Sequence, residues 1–82
     1  MNANILIVDD EPMLLKALVK YLTREGYAVD TASDGAEAIE KCKQSNFDLV
    51  LTDLQMPNMT GTELVKELKT LNPQQVCIVM TG

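Results

Sequence analysis

Asp48-Leu49-Val50-Leu51-Thr52-Asp53-Leu54-Gln55-Met56-Pro57 decides the fold. The apolar run Leu49 to Leu51 predicts a strand buried on both faces. It leads directly into the carboxylate of Asp53, and Pro57 then ends regular structure. An acid just past a buried parallel strand lies where open α/β sheets bind ligands, beyond the strands' carboxyl ends. Ile5 to Val8 repeats the arrangement and ends in Asp9 and Asp10. Two strand ends therefore offer three carboxylates, and the pattern predicts that they share one divalent cation.

The rest of the chain alternates between two periodicities. Ile5 to Val8 is β-branched at three of its four positions, a strand pattern. Pro12 suits the first turn of a helix, with Asp10 or Glu11 at its N-terminus. Leu14, Leu15, Leu18, Val19 and Leu22 then recur at helical spacing, and Gly26 is a left-handed stop. Tyr27 to Thr31 predicts a shorter, more polar strand, placed at a sheet edge by Asp30. Asp34 and Glu37 form a capping pattern before a second helix with an apolar stripe of Ala36, Ile39 and Cys42. Pro57, Asn58 and Gly61 mark a loop after the central strand. Thr60 and Glu63 cap a third helix lined by Leu64, Val65, Leu68 and Leu71, which Asn72-Pro73 ends. Val76 to Met80 is a fourth apolar strand, followed by Thr81-Gly82. The order β-α-β-α-β-α-β predicts a parallel sheet with right-handed crossovers.

Composition narrows the function classes. Eighty-two residues allow one domain, 1–82. A net charge of −5 argues against direct contact with nucleic acid, which takes a basic surface. No apolar run approaches the ~20 residues of a membrane span. Met1-Asn2-Ala3-Asn4 has no basic segment of the kind that opens a signal peptide, which points to a cytoplasmic location. Cys42 and Cys77 form no C-x-x-C pair and read as buried free thiols. The chain has no histidine, which removes His-ligated zinc and Ser-His-Asp or Cys-His chemistry. Any histidine that this chain reacts with belongs to another molecule or another part of the gene product. The methionines Met13, Met56, Met59 and Met80 read as packing or loop residues.

With these features in place, the chain resembles a receiver domain of a two-component response regulator. The resemblance rests on Asp9-Asp10 after the first strand, Asp53 after the third, Met56-Pro57 and Gly61 at the family's spacing, and Thr81 at the end of the fourth strand. It implies a flavodoxin-like (CheY-like) α/β fold with strand order 2-1-3-4. The family's last helices and fifth strand, which carries a lysine at its end, have no counterpart before Gly82. The expectation is thus an incomplete, truncated receiver domain.

The resemblance also implies roles. Asp53 is the phosphoacceptor. Mg²⁺ is bound by Asp10 directly, by Asp9 mostly through water, and by Asp53 and the backbone carbonyl of Gln55. Thr81 contacts the phosphoryl group and switches with it. A sensor histidine kinase is the phosphodonor, and an output domain or partner protein receives the signal. Such a domain is not a conventional enzyme, since at most it catalyses its own slow phosphotransfer and dephosphorylation.

Other readings of the same residues stay open. Asp9 and Asp10 also suit a helix N-terminus, and Asp53 a turn. A Mg²⁺-dependent phosphohydrolase with an aspartyl nucleophile commonly carries a second acid two residues on, where this chain has Gln55. A non-phosphorylated assembly module is a third possibility. With the missing elements, Mg²⁺ binding is expected to be weak and phosphorylation slow. The fourth strand's edge and the face beside the first helix are expected to be bare, so that the chain forms a homodimer or swapped oligomer through them.

Overall fold

The computed structural model describes residues 3–80. Short apolar runs and amphipathic stripes alternate along the chain, and each forms its own element. The order is β1 (Asn4–Val8), α1 (Pro12–Arg24), β2 (Ala28–Ala32), α2 (Gly35–Gln44), β3 (Leu49–Asp53), α3 (Gly61–Leu71) and β4 (Cys77–Met80). The strands form one sheet in the order β2-β1-β3-β4, with every neighbouring pair parallel. This is the order that the resemblance implies, with β2 on the predicted edge. No helix among the described residues is long and apolar enough to cross a membrane.

Local chemistry sets the helix ends. Helix α1 opens at Glu11 with Pro12 in its first turn, but Glu11 makes no side-chain cap. It closes through Gly26, whose φ of 98° is open to a residue without Cβ. The Gly26 N–H donates to Thr23 O at 3.0 Å and the Tyr27 N–H to Leu22 O at 3.1 Å, which is a Schellman closure. In α3 the Glu63 N–H donates to Thr60 Oγ1 at 3.1 Å and the Thr60 N–H to Glu63 Oε1 at 2.9 Å, completing the predicted capping box. In α2 the Glu37 N–H donates to Asp34 Oδ1 at 2.8 Å, but Glu37 reaches past Asp34 to accept from the Ser33 N–H at 2.6 Å.

The strand register puts Leu6, Val8, Val50 and Ala32 on one face, where they meet Ala38 of α2 and Leu64 and Leu68 of α3. This is the core. Ile5 and Ile7 are buried on the other face, where α1 packs along β2 without burying any residue of its own. Leu49 and Leu51 share that face with Ile5 and Ile7, yet they are only half-buried. The expected burial of β3 therefore holds on the core face, at Val50 and Thr52, but not on the opposite face. Helix α1 lies toward β2, and no described helix covers β3 and β4 on that side.

Three smaller expectations also change. Ala36 points outward, and Ala38 takes its place in the stripe of α2 because it faces the sheet. Leu71 lies exposed at the last turn of α3. Met13 is 79% exposed, whereas Met56 and Met59 pack against the core as expected. Cys42 and Cys77 are unpaired and half-buried at the margin of the core. Burial pushes both thiols up from their ordinary range.

Candidate functional site

Parallel pairing brings the two acidic segments together. Val8 is in register with Thr52, so the next residues, Asp9 and Asp53, emerge side by side at the carboxyl end of the sheet. A carboxylate oxygen from each of Asp9, Asp10 and Asp53 lies within 4.8 Å of the other two. The three groups differ in exposure. Asp9 is only 3% exposed, Asp53 is half-buried, and Asp10 faces solvent.

The backbone fixes Asp9 at both ends. Its N–H donates to Ala32 O at 3.1 Å, and its Oδ1 accepts from the Glu11 N–H at 3.0 Å. Glu11, one of the two residues favoured from the sequence, stands at the N-cap of α1, but the side chain that accepts a backbone N–H there is that of Asp9, two positions ahead of it. Burial raises the pKa of Asp9 above the ordinary carboxylate value, and the charges of Asp53 and Asp10 raise it further. The Glu11 N–H works in the opposite direction and is outweighed.

The cleft at these acids has a volume of about 460 Å³. Among the described residues, Glu11, Leu14, Leu54 and Gln55 complete its lining, and none of these is cationic. Three clustered carboxylates without a neighbouring cationic side chain repel one another. A bound cation relieves that repulsion, and an all-oxygen donor set suits a hard ion such as Mg²⁺. Gln55 lines the cleft and is exposed. Thr81, the predicted switch hydroxyl, lies outside the described residues. Asp30 and Asp34 take no part in the lining of the cleft. Asp30 pairs with Lys41 at 2.9 Å, and Asp34 caps α2. Burial alone would raise the Asp30 pKa, but Lys41 and the Thr31 N–H outweigh it and hold it low.

Leu14 was not legible as a cleft residue, since it read as one position of a helical stripe, and Leu54 carries no chemistry that would single it out. Thr52 was equally hidden. Its fully buried hydroxyl donates to the backbone oxygen of Asp53 at 3.0 Å. The segment after Asp53 turns back on itself. The Leu54 N–H donates to Met80 O at 3.2 Å, and the Gly61 N–H donates to Leu54 O at 2.8 Å. Asn58 takes a φ of 70° in this turn, a conformation that Asn adopts more readily than most residues.

Sequence and fold comparisons agree. A sequence model of the response regulator receiver domain matches residues 5–82. Transcriptional regulatory protein GlrR of Escherichia coli (strain K12) is 43% identical over 80 residues, which cover 98% of this chain and 18% of GlrR. The crystal structure of response regulator protein TrrA from Thermotoga maritima, in complex with Mg²⁺-BeF, superposes with a TM-score of 0.92 at 40% identity. That match covers 99% of this chain and 70% of TrrA. TrrA in complex with the histidine kinase ThkA matches equally well, with a TM-score of 0.92 at 39% identity, covering all of this chain and 70% of that one. The chain thus spans about a fifth of the length of the curated relative GlrR and 70% of the solved TrrA receiver. With the family model matching residues 5–82 and the four-stranded fold superposing on a solved response regulator, this chain belongs to the response regulator receiver domain family.

Proposed function

We propose that Asp53 accepts a phosphoryl group from a phosphohistidine of a sensor kinase, with Mg²⁺ held by Asp9, Asp10, Asp53 and the backbone carbonyl of Gln55. The observation that carries this is the convergence of the three acids within 4.8 Å in a cleft with no cationic lining. The TrrA complexes with Mg²⁺-BeF and with ThkA support the choice of ion and of donor. One oxygen of the Asp53 carboxylate attacks phosphorus in line as the bond to the donor nitrogen breaks, and that nitrogen keeps the electron pair. A bound Mg²⁺ supplies charge neutralisation for the incoming phosphoryl oxygens. Asp9 and Asp10 hold the ion, and Asp53 is kept beside them by the β1–β3 register. Thr81, by its place in the family pattern, donates a hydrogen bond to a further phosphoryl oxygen. The domain acts as a signalling acceptor, and its modified surface changes contact with an output domain or partner.

The test is labelling with acetyl phosphate in Mg²⁺, followed by intact mass. Wild type should gain one phosphoryl group that is lost in Asp53→Asn and in EDTA. With no cationic side chain among the described lining residues to pair with the phosphoryl oxygens, labelling of this chain should be slow. Labelling that persists in Asp53→Asn would overturn the assignment.

A further inference from the structure

We infer that Thr52 and Gly61 are positioning residues for Asp53, holding the Asp53–Leu54 peptide from which the acceptor carboxylate projects. The inference rests on the proposed role of Asp9, Asp10 and Asp53 as a cation site. Among the described residues, the Asp53 carboxylate accepts no hydrogen bond from the protein, so its direction depends on its own backbone. That backbone is held on every side. The Asp53 carbonyl accepts the Thr52 hydroxyl at 3.0 Å, and the Leu54 N–H donates to Met80 O at 3.2 Å. Both polar groups of the peptide plane are thereby engaged.

Gly61 presses against the same plane. A Cβ at position 61 would run into the Asp53 carbonyl oxygen and stand 3.1 Å from Leu54 Cα, backbone that has no flexible end to yield. Its φ is not positive, so glycine is needed here for close approach and not for an unusual backbone conformation.

Thr52 is unusual for its place. It is fully buried on the core face of the sheet, in register with Val8 on one side and Val79 on the other. Valine would fill the same volume there without a hydroxyl to satisfy. The hydroxyl's partners are the Asp53 carbonyl and, at 3.8 Å, Met56 Sδ. Both belong to the segment that carries the acceptor and turns back toward α3. The hydroxyl thus ties a rigid, buried strand to the first peptide of a loop.

Calorimetric titration of Mg²⁺ into the wild-type chain and into Thr52→Val, Thr52→Ser and Gly61→Ala, with apo melting curves for each, tests this. Thr52→Val should weaken Mg²⁺ binding on the order of tenfold, the lower range for groups that orient metal ligands, while its apo melting midpoint stays within a few degrees of wild type. Thr52→Ser should restore the affinity because it restores the hydroxyl. Gly61→Ala should lose at least as much as Thr52→Val; if it does not fold, the two Thr52 variants decide. Equal affinity in wild type and Thr52→Val, or equal loss in Thr52→Ser and Thr52→Val, would overturn the positioning role and leave the cation site standing. A wild-type chain that binds no Mg²⁺ would overturn both.

Discussion

Asp9 carries the electrostatic cost of the site. Its carboxylate is buried, faces two other acids and, among the described residues, is eased by one backbone N–H. Its pKa in the folded chain is raised, so protonation favours folding. That contribution is complete below the ordinary aspartate value, about 3.9, and is lost as pH rises through the raised value. Without metal at neutral pH, Asp9 therefore weakens the fold. Asp9→Asn keeps an oxygen for the Glu11 N–H and removes the charge. In EDTA near neutral pH it should melt higher than wild type, with ~1 kcal/mol corresponding to about 4–8 °C in a domain of this size. The gap should narrow as pH falls toward the aspartate range. The same variant should bind Mg²⁺ far more weakly. A lower apo melting midpoint for Asp9→Asn at neutral pH would show that repulsion is not what Asp9 contributes.

At the scale of elements, α3 and the loop before it form one mechanical piece. The capping box of Thr60 and Glu63 starts the helix, and Gly61, its first residue, rests on the Asp53 backbone. The Thr60 N–H, with help from its hydroxyl, holds the Glu63 carboxyl below its usual range. Its contribution is therefore present above the unfolded value and lost as pH falls through the lowered one. Thr60→Ala removes the hydroxyl that accepts the Glu63 N–H, and should cost about 1 kcal/mol, read as a lower melting midpoint at neutral pH. An unchanged midpoint would mean that the helix start is held by packing alone. The box was legible from spacing because both partners lie within one helical turn. The α2 start shows the limit of that rule. The same D-x-x-E spacing delivers the Asp34 cap, but Glu37 returns to Ser33, because the approach of the chain from β2 decides which N–H is within reach.

Across the whole molecule, apolar surface is unevenly covered. The face beside α2 and α3 is closed, while on the other face Leu49 and Leu51 are half-buried and Ile78 is 50% exposed. Among the described residues β4 pairs with β3 alone, so its outer edge is open as well. An open apolar edge beside a bare strip favours association. The 82-residue chain should therefore run as a dimer or larger species in light scattering. Ile78→Lys, which places a charge on the strip, should shift it toward monomer. A concentration-independent wild-type monomer would count against self-association.

Local patterning determined the element order, the parallel sheet, and the carboxylates at the ends of β1 and β3, because strand and helix periodicities and turn residues act over a few neighbouring positions. Tertiary structure alone decided that Asp9, not its neighbour Asp10, is the buried acid, since adjacent residues past a strand leave on opposite sides and only packing distinguishes them. It also decided that Leu49 and Leu51 are half covered, and that a threonine in the core grips the backbone of Asp53. Those outcomes depend on which element lies across the sheet at each point, and that is set by contacts between residues far apart in the chain.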